Sequence, residues 1–143
     1  MKQRKNWKEL FDKDNLVFCN NRRGINLYTN RDDYYLTHNK KCLKLIHDCL
    51  LLLNKRDRAR VRKKVLFFYF KYHPKKTVGG SCANLKKKSI IVITNNIINA
   101  KYFIAIWCIL HEIGHFILGH NGIGLQEKEA DEYAHKILNK FRR

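Results

Sequence analysis

At 143 residues, 45% of them apolar and with a single Pro, the chain has the length of one domain, and its composition excludes a disordered or collagen-like polypeptide. Lys and Arg outnumber Asp and Glu by 30 to 12, a formal charge of +18, which favours polyanionic partners, nucleic acid first among them, and bears on association rather than on fold. Five cysteines, an odd number with no Cys-x-x-Cys pair, argue against a disulfide framework and against a structural zinc ribbon.

The start, Met1 to Leu10, is polar and Lys-rich and has no apolar stretch to serve as a signal peptide. Lys8 to Phe11 and Asn39 to Leu53 are expected as helices; in the second, Leu43, Ile46, Leu50 and Leu53 recur at steps of three and four. Asn20-Asn21-Arg22-Arg23-Gly24 and Asn30-Arg31-Asp32-Asp33 read as turns. Lys55 to Lys64 is a basic run, either a solvated helix face or connection, or a contact for a polyanion. Residues 1–64 are therefore expected as a mainly helical N-terminal part.

Val65 to Tyr72 is dense in Phe and Tyr and has strand composition, ended by Pro74, with Gly79-Gly80 as a turn or loop. Ser89 to Thr94 is a β-branched run and a second strand. Ala100 to Leu118 is helical and strongly apolar, closed by a glycine-rich turn from Gly119 to Gly124. A last helix is expected from Gln126 to Phe141, with Ala130, Ala134, Ile137, Leu138 and Phe141 on one side. The architecture implied is α+β, one domain over residues 1–143, with residues 65–143 holding a short few-stranded sheet and two helices that face each other.

The longest apolar segment, Tyr102 to Gly119, carries His111, Glu112 and His115 inside it, so it reads as a buried helix in a soluble, cytoplasmic protein and not as a membrane span. His111-Glu112-Ile113-Gly114-His115 is an H-E-x-x-H run. On a helix, residues four apart share a face, so the two imidazoles can bind one Zn²⁺. Glu112 then projects beside the metal, where it can take a proton from the attacking water and return it to the leaving amine. Two histidines and a carboxylate are costly to bury in an apolar helix without such a purpose; hydrogen-bonded core histidines beside a capping carboxylate are the alternative.

A catalytic zinc needs a third protein ligand. The metzincin pattern would place a glycine at 118 and a histidine at 121, where the chain has Leu118 and Asn121, with His120 one position early. The next helix offers a carboxylate instead, as in gluzincins. Glu127 and Asp131 share one face of it, so Glu127 can bind the metal while Asp131 fixes a ligand histidine from behind; Glu129 is the second choice. Among the neighbours, His120 is expected as a surface residue or a wall of the site, and His135 as solvent-facing. Tyr133 and Cys108 read as packing residues, and Trp107 and Phe103 as part of one buried face. If Ile90 to Thr94 were an exposed edge strand, it could hold an extended substrate by β-augmentation.

The run His111 to His120, followed by Glu127-Lys128-Glu129-Ala130-Asp131-Glu132-Tyr133-Ala134, resembles the ImmA/IrrE family of metallopeptidases over about residues 76–140. In that family a HEIGH-like helix precedes an E-x-x-A-[ND]-x-[FY]-A helix, and a short strand precedes both, in the position of Ile90 to Thr94. The resemblance implies that His111, His115 and Glu127 bind zinc, that Glu112 is the catalytic base, and that the target is a protein such as a DNA-binding repressor. The first 65 residues carry no pattern of that family and no helix-turn-helix signature. The expected function is a zinc-dependent endopeptidase. The competing readings are a non-catalytic zinc-containing binding or sensing module, and a basic nucleic-acid-binding protein.

Overall fold

The computed structural model of the chain describes residues 6–75, 79–85, 87–120 and 125–140. A short helix α1 (Trp7–Leu10) leads into strands β1 (Leu16–Phe18) and β2 (Leu27–Asn30). Helices α2 (Leu36–Leu52) and α3 (Lys55–Lys64) follow, then β3 (Val65–Phe70), β4 (Gly80–Asn84) and β5 (Ser89–Thr94). The chain closes with α4 (Asn95–Ile98), α5 (Tyr102–Ile117) and α6 (Leu125–Asn139). The α+β class expected from sequence is the class observed.

The strands form one sheet in the order β1-β2-β3-β5-β4. Its centre, β2, β3 and β5, is parallel, and the flanking β1 and β4 are antiparallel to their neighbours. Side chains alternate across the sheet. Phe67, Tyr69, Ile91 and Ile93 therefore face the main core with α2 and α5, while Phe68, Phe70 and Val92 face the other side under Leu10 and Phe11. Burial on both faces explains why β3 and β5 read as nearly continuous apolar runs.

Three differences from the sequence reading have physical causes. The first 64 residues contribute two strands as well as helices, and these are too short, at three and four residues, to show a period. Gly80 opens a strand rather than lying in a turn, because β4 completes the open edge of β5. The edge strand is accordingly β4, and the segment from Ile90 to Thr94 lies inside the sheet. Phe103, expected to be buried, is 69% exposed, because it lies in the first turn of α5, where Tyr102 and Ile104 are exposed as well. The turn residues 121–124 and the expected helix end at Phe141 lie outside the described residues.

The basic run forms α3, and part of it is structural. The Arg58 guanidinium donates to the Leu50 and Leu53 carbonyls (2.9 and 3.1 Å), capping the end of α2. Arg60 lies over the Phe116 ring at 5.5 Å. All five cysteines are free, and among the described residues no helix is long and apolar enough to cross a membrane.

Candidate metal centre

Helix α5 buries Ile106, Ile109, Leu110 and Ile113 against the sheet and α2, which turns His111 and His115 together toward α6. Their Nε2 atoms lie 3.1 Å apart. Glu127, from the first turn of α6, bridges them: its Oε2 is 2.9 Å from His111 Nε2 and its Oε1 is 2.9 Å from His115 Nε2. Among the described residues, His111, His115 and Glu127 are the group with metal-ligand spacing. Donors 2.0–2.1 Å from a tetrahedral zinc sit about 3.3 Å from one another, so the observed triangle fits that ion with a few tenths of an ångström of expansion.

The outer nitrogens explain how both inner ones can be lone pairs. Asp131 Oδ1 lies 2.7 Å from His111 Nδ1, off the axis of a well-formed hydrogen bond but close enough to hold the ring by charge. His115 Nδ1 is 2.8 Å from His120 Nδ1, and His120 Nε2 is 3.4 Å from Glu129 Oε2. With a carboxylate beside each outer nitrogen at the two ends, the protons are assigned to His111 Nδ1, His120 Nε2 and His115 Nδ1, which leaves both Nε2 atoms free to ligate. Burial, working against the pull of Glu127, holds the His115 imidazole below its ordinary pKa and favours the neutral form a metal needs.

Of the two expectations for His120, a surface residue or a wall of the site, the second is the one observed: it is 6% exposed and lines the cleft. Gly119 adopts φ +68, Gly119 N donates to Phe116 O, and His120 N donates to His115 O at 3.0 Å. This is the Schellman closure, which folds the residue after the glycine back onto the last turn. The Leu-Gly-His order after an apolar helix was the signal that could have shown it. Asn84 of β4, also unmarked in the sequence reading, donates to the His115 and His120 carbonyls at 3.0 and 2.7 Å and pins this turn to the sheet. Glu129, the second choice as third ligand, serves His120 instead.

Glu112 is buried beside the triangle, with its carboxylate 3.9 Å from His111 Nε2. Among the described residues its Oε2 has no hydrogen-bond partner, and burial first, then the Glu127 charge, push its carboxyl up to about 8. The groups line a cleft of about 450 Å³ between α5 and β4, with Gly80, Ser81 and Trp107 in its walls. A larger hollow of about 630 Å³ outside α6, at Glu132 and His135, holds none of the ligand group. Trp107 is half-buried, its ring between those of His111 and His135 (5.4 and 5.7 Å), and His135 is exposed as expected. Cys108 is a half-buried wall of the cleft whose thiol burial raises, and it lies outside the group with metal-ligand spacing.

The approach of α6 depends on Gly114. A Cβ there would lie 3.0 Å from Tyr133 Cδ1 and 3.2 Å from its Cβ, and Tyr133 packs half-buried against this surface as expected, with its hydroxyl 3.4 Å from Asp57. Gly114→Ala should lower stability by about 1–3 kcal/mol through overpacking and weaken metal binding by shifting Glu127. Thermal melts and zinc titration of that variant test this; unchanged zinc affinity would show that α6 is not positioned by this contact.

No protein-family model matches the chain, and neither a curated protein nor a solved structure matches it. What the site can do follows from its own geometry: two imidazoles and a carboxylate converge on one point, a buried carboxyl stands beside them, and a cleft opens along an edge strand.

Proposed function

We propose that this chain is a zinc-dependent endopeptidase acting on a protein target. The observation that carries the proposal is the convergence of His111 Nε2, His115 Nε2 and Glu127 on one point with the buried Glu112 alongside. Zinc held there supplies Lewis-acid polarisation of a carbonyl and lowers the pKa of water toward about 7. Glu112 is placed to take the proton of the attacking water and hand it to the leaving nitrogen. Asp131 and the His120–Glu129 pair keep the histidines in their ligating tautomers. His120 is engaged at both ring nitrogens and so is not a fourth ligand, which favours an open catalytic site over a closed structural one.

The cleft also suits a polypeptide. One side of β4 pairs with β5 and, among the described residues, its other side pairs with no strand, so an extended segment can add to this edge and lie across the site. The resemblance to ImmA/IrrE peptidases supports a DNA-binding regulator as the target. Metal analysis of the purified protein tests the assignment. One zinc per chain is expected, with at least tenfold weaker binding in Glu127→Ala. Undiminished zinc in that variant would remove Glu127 from the ligand set, and absence of zinc from the native protein after reconstitution would overturn the proposal.

A further inference from the structure

Three segments meet at the end of the sheet where β2, β3 and β5 begin. They are the β1–β2 loop, the last turn of α3 and the β4–β5 connection. Together they carry Arg22, Arg23, Lys63, Lys64, Lys87 and Lys88, all exposed. None of the 12 acidic residues falls in 19–26, 58–64 or 84–88. Among the described residues, no ion pair uses any of the six cations.

The segments are tied together. Gly24 lies against Arg62, within 3.9 Å of a Cβ position. Asn26 Nδ2 donates to the Arg62 carbonyl at 3.3 Å, and Lys88 Nζ donates to the Lys63 carbonyl at 3.0 Å. Burial first, then the charge of Arg23, with Arg62 and Lys44 of α2 adding, hold the His47 imidazole below its ordinary value although Asp48 opposes them, so Arg23 and Arg62 contribute to that shift without dominating it.

The loop that presents the arginines is pre-formed. Asn21 donates to the Cys19 and Ile25 carbonyls (2.9 and 2.8 Å) and accepts from the Arg23 and Ile25 amides (3.0 and 3.3 Å), and Gly24 takes the left-handed turn at φ +70. Basic residues in the last turn of α3 complement its dipole. That accounts for Lys63 and Lys64 alone, not for cations on a loop and on a strand connection. From the β1–β2 loop to the β4–β5 connection is three strand spacings, roughly 14 Å, comparable to the ~12 Å width of a DNA major groove.

We infer that this basic end of the sheet is a binding surface for the phosphate backbone of duplex nucleic acid, read without sequence specificity. It lies on different residues from the metal centre, and its charge would hold the protein on DNA whatever the cleft does. Spread over three segments across a groove's width, the cations match rows of phosphates, one charge per ~1.7 Å of duplex axis.

The test is fluorescence anisotropy with a 20-base-pair DNA duplex of mixed sequence and the full chain, across a salt series. Six phosphate contacts predict a slope of about −5 in log K against log salt, or roughly a 10³-fold loss between 50 and 200 mM. Replacing Arg22, Arg23, Lys64 and Lys87 by Ala should reduce the slope by about three to four, and the Arg22→Ala/Arg23→Ala pair alone by about two. The exposed cations Lys13, Arg31, Lys40 and Lys41, which lie elsewhere on the chain, serve as a control; their replacement by Ala removes the same charge and should change the slope by less than one. Thermal melts check that each variant folds, and the double variant stands in if the fourfold one does not. The inference is overturned if the native protein does not bind the duplex, if both fourfold variants lose affinity equally, or if anionic vesicles compete the duplex away.

Discussion

Glu112→Gln should leave zinc content unchanged and cut hydrolysis of a mixed peptide library by about 10²- to 10⁴-fold, the span that a lost general acid–base contributes. The expectation rests on where Glu112 stands. It directly follows His111 on α5, and its carboxylate is 3.9 Å from that residue's Nε2 but is no part of the triangle that Glu127 closes. Gln has the same shape and fits the same buried space, but its amide cannot accept a proton and pass it on. Among the described residues, Glu112 Oε2 lacks a hydrogen-bond partner, so the substitution breaks no hydrogen bond at that oxygen. Zinc binding and activity should therefore separate in this variant, whereas Glu127→Ala should lose both. Mass-spectrometric profiling of the library by the zinc-loaded proteins reads the difference. Equal cleavage by native protein and Glu112→Gln would remove the base from the mechanism.

Legibility followed sequence distance. His111, Glu112 and His115 are joined by helical periodicity alone, and Glu127 and Asp131 by the same four-residue spacing on the next helix, so the metal triangle could be proposed from local rules. His120 could not be placed without recognising that Gly119 closes α5 with a left-handed turn. Asn84 is 31 and 36 residues from the carbonyls it holds, and no local pattern relates them. The strands divide in the same way. β3 and β5 are six residues each and buried on both faces, which makes a visible apolar run. β2 is a strand because Leu27, Tyr28 and Thr29 pair with Phe67, Phe68 and Tyr69. β4, Gly-Ser-Cys-Ala-Asn, has weak strand propensity and is extended because β5 offers it an edge. Arg58 and Arg60 show the limit from the other side: a charge run looks uniformly solvated until the carbonyls and the ring they meet are known.

In chelator-treated protein, stability should fall as pH rises from about 6.5 to about 8, and Glu112→Gln should remove most of that fall. Glu112 has its carboxyl pushed up to about 8 in the fold against an ordinary 4.5. Between those values the folded chain keeps a proton that the unfolded chain has released, so the folded state binds more protons and stability decreases with pH. Its contribution is complete below about 4.5 and is lost as pH rises through about 8, by up to ~1.4 kcal/mol per pH unit. His115 works in the opposite sense at lower pH. Its folded value is depressed from 6.5, so the unfolded chain binds the extra proton there and stability rises with pH until His115 is neutral in both states. Above 6.5 the two effects separate, and the decline belongs to Glu112. Zinc should reverse it, because ligation requires neutral imidazoles and ionised carboxylates and so tightens with pH; at a hundred times its dissociation constant it adds about 2.7 kcal/mol. Urea unfolding of the chelated proteins at closely spaced pH values measures the slopes. Parallel slopes for the native chain and Glu112→Gln would show that the buried carboxyl is not the group that titrates.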